Sequence, residues 1–238
     1  MTEPQWLQQY RWHAVADVQS VRRVAAARIL AAADRALGAR GRFVLVLAGG
    51  DTPRGVYELL RDAKTDWSAW QVYFGDERCA PPDDPARNSR MAGSAWLDHV
   101  PIPEGQVHEI PAERGPGAAA ERYAKLLEPV GEFDLVLLGL GEDGHTASLF
   151  PGHELGQNPD APSTLPVFDA PKPPPDRVTM SAHRLSRTAE AMFMVGGDDK
   201  RDAVTRWRGG ESIPARTIMP KAGVDVVLEA AILRPLQP

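Results

Sequence analysis

The stretch Phe43-Val-Leu-Val-Leu-Ala48 is a continuous apolar run that ends at a pair of glycines. It is too short for a helix of its own, and uninterrupted apolar residues are typical of a strand covered on both faces of a parallel sheet. Directly after the glycines, Thr52 offers an N-cap hydroxyl and Pro53 suits the first turn of a helix. The stretch therefore predicts a buried strand followed at once by a helix.

The same alternation of strand and helix continues along the chain. Residues 133–140 (FDLVLLGL) form the strongest further strand, and apolar residues at three- and four-residue spacing predict a helix over residues 18–36 that Gly38 closes. Other strands are predicted near residues 71–74, 177–180, 191–195 and 225–228, and other helices near residues 88–99, 118–127 and 199–207. Strands that alternate with helices predict an α/β fold: a mostly parallel sheet with helices on both faces, doubly wound and Rossmann-like.

The chain has the length of one large domain or two small ones. For its 238 residues, a typical domain of about 150 residues gives one to two domains, and we expect a single main α/β domain over residues 1–238. Prolines crowd residues 151–176, a density that excludes a helix or a central strand. We interpret this proline-rich segment as a surface excursion of the same domain, because strand signals resume directly after it.

Composition and charge exclude several classes of protein. The formal net charge is −5 without runs of like charge, so the basic surface that nucleic acid requires is missing. The single cysteine, Cys79, excludes an intrachain disulfide framework and multi-cysteine metal sites. Residues 1–30 show no apolar core of a secretion signal, and no stretch approaches the about 18 apolar residues of a membrane helix. We expect a cytoplasmic monomer or weak homo-oligomer that binds a small molecule, with neither nucleic acid nor membrane as a partner.

Ligands of doubly wound sheets bind beyond the carboxyl ends of the strands, so the residues that follow each predicted strand are candidates. The first such junction is Gly49-Gly50-Asp51-Thr52. Two glycines let backbone N–H groups approach a ligand, and the next helix points its positive end there, which suits a phosphate. The carboxylate of Asp51 opposes a dianion, however, and a tight strand-to-helix turn explains the glycines equally well.

The second junction is Asp76-Glu77-Arg78, with Asn88 in the loop beyond it. An arginine beside two carboxylates can bind an anion while the acids hold the guanidinium in position. A solvated charged turn is the alternative interpretation.

The third junction follows the strand over residues 133–140 and contains Asp143 and His145. Residues 139–144 formally match G-x-G-x-x-G, the pattern of a dinucleotide-binding oxidoreductase. That unit also needs a helix, a second strand and an acid about 20 residues further on, and the proline-rich segment occupies this span. Asp143 stands close enough to orient the imidazole of His145 for acid–base catalysis, although an isolated histidine is more often structural.

These junctions, in this order, resemble the 6-phosphogluconolactonase family over most of the chain. The most specific match is GEDGHTASLFP at residues 141–151. Supporting matches are found at residues 49–53, 76–78 with 88, 177–179 and 196–200. The resemblance implies an α/β enzyme that hydrolyses 6-phospho-D-glucono-1,5-lactone, a sugar-phosphate lactone, with no metal and no cofactor.

The resemblance also implies roles for individual residues. His145 becomes the general base, Asp143 holds its ring, and Arg78 polarises the carbonyl or grips the substrate. Lys200 resembles the lysine that binds the phosphate. Further substrate-binding or phosphate-binding candidates are Gly49, Gly50, Asp51, Thr52, Asp76, Asn88, Gly144, Thr146 and Arg177.

Two other functions remain as alternatives. The related amino-sugar-phosphate deaminases and isomerases carry a glutamate five positions after the histidine, where this chain has Phe150, and usually a tyrosine where it has Arg78. Asp51 departs from both groups, which usually have a small or hydroxyl residue there. A non-enzymatic sugar-phosphate sensor is the second alternative. Such effector domains of bacterial regulators carry an added DNA-binding segment, whereas this sequence begins almost at its first predicted helix.

Overall fold

Strands and helices alternate along most of the chain in the computed structural model, which describes residues 8–234. The strands are β1 (Tyr10–Val15), β2 (Phe43–Leu47), β3 (Trp70–Phe74), β4 (Asp76–Arg78), β5 (Val107–His108), β6 (Phe133–Leu138), β7 (Thr164–Val167), β8 (Arg177–Met180), β9 (Thr188–Val195) and β10 (Val224–Glu229). The helices are α1 (Val18–Arg40), α2 (Asp51–Leu60), α3 (Asn88–Ala95), α4 (Pro116–Leu127), α5 (Ala182–Ser186) and α6 (Arg201–Arg208).

The main sheet has seven strands in the order β1-β10-β9-β6-β2-β3-β5, and every neighbouring pair is parallel. Every residue of β2 and β6 is buried, as their apolar runs predict. The predicted mostly parallel α/β sheet is thus confirmed. The chain leaves β2 toward β3 and β5 on one side, and later returns through β6 to β9 and β10 on the other. The direction of winding therefore reverses between β2 and β6.

Several helix boundaries differ from the predictions; α3, for example, ends at Ala95 instead of near residue 99, and α6 begins at Arg201. The first helix continues through Gly38 to Arg40 and ends at Gly41, whose φ is 68° and whose N–H donates to the carbonyl of Leu37. A glycine in an exposed helical position costs only about 1 kcal/mol relative to alanine, so Gly38 does not stop the helix. The N-cap of α2 is Gly50 rather than Thr52, because the strand ends early enough for the helix to begin at once.

A second, smaller sheet is antiparallel, in the order β4-β8-β7. The predicted strand at residues 177–180 belongs to this sheet and not to the parallel one. The proline-rich segment contributes β7, an edge strand that tolerates Pro166. Leu165 and Val178 of the small sheet share one apolar core with the main sheet. Within residues 8–234, no helix has the length and apolar character needed to cross a membrane.

Candidate active site

A cavity of about 410 Å³ opens at the carboxyl ends of β2 and β6, where the winding direction reverses. This is the place where doubly wound sheets bind their ligands. The predicted site residues that line it are Gly49, Gly50, Asp51, Thr52, Asp76, Arg78, Asn88, His145, Thr146, Arg177 and Lys200. The fold thus brings the three sequence junctions around one space.

The imidazole of His145 is held by Asp143 at the edge of this cavity. Nδ1 of His145 lies 2.5 Å from Oδ1 of Asp143, which also accepts the backbone N–H of His145 at 3.1 Å. Because a carboxylate only accepts, Nδ1 carries the proton of the neutral ring and Nε2 keeps its lone pair. No residue between 8 and 234 forms a hydrogen bond with Nε2, so this nitrogen is available to a ligand.

The surroundings keep this pair as a neutral imidazole beside a carboxylate. Burial lowers the pKa of His145 below its ordinary value, although the charge and hydrogen bond of Asp143 oppose this. Burial alone would raise the pKa of Asp143, but the hydrogen bonds and charge of His145 outweigh it and the pKa is lowered. A base with a free Nε2 is therefore the form that predominates near neutral pH.

Two glycines shape the turn that carries His145. A Cβ on Gly141 would lie 2.0 Å from Nδ1 of His145, so a residue without a side chain is needed for the ring to occupy its place. Gly144 has a φ of 87°, which favours glycine, and its Cβ would meet that of Ile213 at 2.8 Å. Gly144 and Asp143 do not line the cavity. Asp143 acts on the site through the ring, whereas Gly144 sets the path of the turn.

Replacing Gly141 with alanine is expected to displace the imidazole and lower kcat/KM, since a shift of about 1 Å in a reacting group costs on the order of 100-fold. The matched control is Gly131→Ala, because no atom would lie within 4 Å of its Cβ and it does not line the cavity. Steady-state kinetics on both folded variants provide the measurement. Equal activity of the two variants would contradict this role of Gly141.

The turn after β2 presents backbone amides to the cavity. The first N–H groups of α2, those of Asp51 and Thr52, have no partner within the helix. The carboxylate of Asp51 is 84% exposed and pairs with Arg54 at 3.1 Å, so water and a cation screen it from an anion at the amides. A Cβ on Gly49 would meet Oδ1 of Asn88 at 2.0 Å. The glycine therefore permits the Asn88 side chain to lie against this turn.

The acids of the second junction do not hold the guanidinium of Arg78, contrary to the expectation from sequence. Buried Asp76 accepts hydrogen bonds from Nδ2 of Asn88 at 3.1 Å and Oγ of Ser148 at 2.6 Å. Glu77, fully buried, accepts the backbone N–H groups of Arg78, Asn88 and Ser89. Burial raises the pKa of Glu77, although these hydrogen bonds oppose it. The two acids join the strand end to α3 and to the His145 turn.

Arg78 itself is tied to the chain through one nitrogen. Its Nη1 donates to the carbonyl of Ala86, and its buried Nε has no hydrogen-bond partner in the described part of the chain. No carboxylate within residues 8–234 forms an ion pair with Arg78. Its charge is thus available to an anion in the cavity.

The two other predicted cations differ in what they contact. Buried Arg177 donates to the carbonyls of Lys172, Pro173 and Pro174, and burial lowers its pKa. It fastens the proline-rich segment to the small sheet. Lys200 lies in the turn between β9 and α6, with Nζ 2.7 Å from a carboxylate oxygen of Asp199. Its ammonium is the more available of the two.

The sequence analysis missed Lys172, which also lines the cavity and pairs with Glu142. It lies in the proline-rich segment, which the sequence predicts to be a surface excursion. A signal was present: a lone lysine inside a rigid run of prolines lies shortly before the candidate residue Arg177.

Phe150 occupies the position at which the related deaminases carry a glutamate. Its ring is fully buried, and its centroid lies 4.6 Å from that of His145. The contact supports the imidazole with an apolar surface and offers no second acid. Thr146 donates its hydroxyl to the carbonyl of Gly139 at 2.9 Å, so it fixes the turn on which His145 lies.

Comparison with known proteins shows the family to which this chain belongs. Residues 16–227 match the family described as glucosamine-6-phosphate isomerases/6-phosphogluconolactonase, and the chain belongs to this family. Within it, the chain is similar to the 6-phosphogluconolactonase of Mycobacterium leprae, at 39% identity over 79% of this chain and 83% of that one. The 6-phosphogluconolactonase of a Nostoc species is 36% identical over 85% of this chain and 88% of that one. The crystal structure of 6-phosphogluconolactonase from Thermotoga maritima superposes with a TM-score of 0.85 and 26% identity, covering 93% of this chain and 100% of that chain.

Proposed function

We propose that the chain hydrolyses 6-phospho-D-glucono-1,5-lactone to 6-phospho-D-gluconate, the lactonase step of the oxidative pentose phosphate pathway. The observation that carries this proposal is the imidazole of His145, which Asp143 orients at 2.5 Å and whose Nε2 has no hydrogen-bond partner within residues 8–234, in a cavity where the winding of the sheet reverses. Relatives named 6-phosphogluconolactonase, at 35–39% identity, support it.

Lactone hydrolysis requires an activated water, and His145 is placed to supply it. Nε2 takes a proton from water as the oxygen attacks C1, which leaves an oxyanion on C1 and a positive charge on the ring. The imidazolium then gives the proton to the departing ring oxygen, and the C1–O bond breaks. Asp143 stabilises the imidazolium throughout. Positioned proton transfer of this kind contributes about 10²–10⁴-fold to the rate.

Arg78 is the candidate that stabilises the oxyanion at C1. It lines the same cavity as His145, and within residues 8–234 its guanidinium is not neutralised by an ion pair. Fixed donors aimed at a developing oxyanion stabilise the transition state more than the ground state. Arg78 therefore acts on kcat in this proposal.

The phosphate of the substrate binds at the turn after β2. Its charge is about −1.5 to −2 near neutral pH, and the amides of Asp51 and Thr52 at the start of α2 offer it free N–H groups. The ammonium of Lys200, which lines the same cavity, supplies a countercharge. Because the phosphate is bound at this turn, C1 at the other end of the substrate is held near His145.

The activity is tested with freshly prepared lactone, whose disappearance is followed in a stopped assay and corrected for spontaneous opening. We expect catalysed hydrolysis and no ammonia from glucosamine 6-phosphate. Ammonia release without lactone hydrolysis would overturn the proposal in favour of a deaminase. Binding of the phosphorylated sugar without turnover of either compound would favour the sensor.

The pH profile of kcat/KM is expected to fall on the acid side, because protonation removes the lone pair of His145. Burial lowers the pKa of His145, Lys172 lowers it further, and Asp143 and Asp76 raise it. Replacing Asp143 with asparagine removes a charge that raises this pKa, so the acid limb moves to lower pH and kcat decreases. Kinetics across the acid range test this, with the exposed Asp62→Asn as control. An acid limb that stays in place would contradict the role of Asp143.

Replacing Lys200 with alanine is expected to raise KM by about tenfold, as for the loss of one charge-assisted hydrogen bond, with little change in kcat. The exposed Lys125→Ala, on α4, is the matched control for removing a lysine. An unchanged KM in the Lys200 variant would show that other groups hold the phosphate.

The cellular setting is part of the same proposal. We place the enzyme in the cytoplasm as a single domain over residues 1–238, of which 1–7 and 235–238 lie outside the described residues. A monomer or weak homo-oligomer is expected, and light scattering coupled to size-exclusion chromatography measures it.

A further inference from the structure

Lys172 lines the cavity, and the proposed mechanism assigns no role to its positive charge. Its side chain lines the same space as His145, on the loop between β7 and β8. Its ammonium pairs with Glu142, three residues before His145 on the turn after β6. The proline-rich segment thus meets the turn of His145 at a charged contact beside the reacting end of the site.

The backbone of Lys172 is held firmly, whereas its ammonium is not. Buried Arg177 donates to the carbonyl of Lys172 at 2.8 Å and to that of Pro174 at 3.0 Å, which fixes the loop from behind. The side chains of Lys172 and Glu142 are 41% and 53% exposed. An ion pair so exposed to water contributes little to the free energy of folding. The ammonium therefore exchanges readily between Glu142 and another anion.

The proposed reaction creates an anion at this end of the site. The lactone carbonyl is neutral, the tetrahedral intermediate carries an oxyanion on C1, and the product carries a carboxylate there. Arg177 is committed to backbone carbonyls, and Arg78 has one nitrogen bound to the carbonyl of Ala86. Lys172 lines the same cavity, and the only anionic partner of its ammonium within residues 8–234 is the half-exposed carboxylate of Glu142.

We infer that Lys172 leaves Glu142 to bind the carboxylate formed at C1 of 6-phosphogluconate, and that it joins Arg78 in stabilising the oxyanion that precedes this carboxylate. The inference rests on the proposed lactonase function and deepens it. In this inference, the proline-rich segment recognises the carboxylate at C1, and other groups bind the phosphate.

The effect of Lys172 on the imidazole agrees with its position. Besides burial, the positive charge of Lys172 contributes to the lowered pKa of His145, whereas Asp143 and Asp76 act in the opposite direction.

The test compares two ligands that differ only at C1. Calorimetry measures the Kd of 6-phosphogluconate and of D-glucitol 6-phosphate, which has the same chain and phosphate but an alcohol at C1. Both ligands are measured with the wild-type chain and with the variants Lys172→Met, Lys172→Arg and Glu142→Gln. The melting temperature of each protein is measured to show that it is folded. Lactone turnover by the wild type is measured alongside, and its absence would defeat the proposed function by itself.

We expect Lys172→Met to weaken 6-phosphogluconate binding by about tenfold and to leave D-glucitol 6-phosphate within about twofold. Lys172→Arg should retain most of the difference between the ligands, because it retains the charge. Glu142→Gln should bind 6-phosphogluconate at least as well as the wild type, because Lys172 is released.

Three results would overturn the inference in an enzyme that hydrolyses the lactone. Equal losses for both ligands in Lys172→Met would make Lys172 a phosphate ligand. No loss for either ligand would leave Lys172 only as a surface ion pair. An equal loss in Glu142→Gln and Lys172→Met would show that the pair acts by fastening the loop and not through the ammonium.

Discussion

Lactone hydrolysis by the His145→Ala variant is expected to fall by about 10²–10⁴-fold in kcat/KM, toward the spontaneous rate. Nε2 of His145 is the proton acceptor in the proposed reaction, and alanine removes it without placing another base there. Phe150 packs against the ring at 4.6 Å between centroids, and its apolar side chain cannot take a proton. The measurement is the initial rate with fresh lactone after subtraction of the uncatalysed opening.

A second histidine provides the matched control for this loss. His99 is exposed in the turn after α3 and does not line the cavity, so His99→Ala should retain wild-type activity. Thermal melting of both variants separates loss of catalysis from loss of fold. A folded His145→Ala enzyme with the wild-type kcat/KM would remove this residue from the mechanism.

Replacing Arg78 with methionine is expected to lower kcat by about 10²–10³-fold, the usual effect of losing one oxyanion donor. Methionine keeps much of the length and apolar volume of the arginine side chain while removing its charge. Steady-state kinetics should show the loss mainly in kcat, because the oxyanion exists only after water has attacked.

A second arginine provides the matched control for Arg78. Arg90 on α3 is exposed, and Arg90→Met should leave both constants unchanged. Because Nη1 of Arg78 also binds the carbonyl of Ala86, the melting temperature of the variant is measured too. A raised KM with an unchanged kcat would assign Arg78 to gripping the substrate. Unchanged values of both constants would remove it from the site.

The buried centre of the fold could be predicted because its strands are apolar on both faces. The runs at residues 43–48 and 133–140 correspond to β2 and β6, between which the direction of winding reverses. The first strand, β1, is an edge strand that is partly exposed, so its apolar pattern is weak. The Asp-Glu-Arg sequence of β4 carries charges that favour a turn, and only its pairing with β8 makes it a strand.

The local part of the site could be predicted more fully than its long-range contacts. Asp143 and His145 are two residues apart, so their contact follows from the turn that carries both. The hydrogen bond between Asp76 and Ser148 joins residues 72 positions apart, so no local sequence pattern predicts it. Glu77 likewise binds backbone amides at the start of α3 instead of Arg78. Such pairings depend on how the loops cross in three dimensions.

In the proposed complex, one sugar phosphate spans the cavity, with its reacting carbon at His145 and its phosphate at the turn after β2. A crystal structure with bound 6-phosphogluconate tests it directly. We predict that the C5 hydroxyl, formed from the ring oxygen, donates to Nε2 of His145 at about 3 Å, that the C1 carboxylate lies beside it, and that the phosphate lies against the amides of Asp51 and Thr52. The reverse orientation, or a ligand bound outside this cavity, would contradict it.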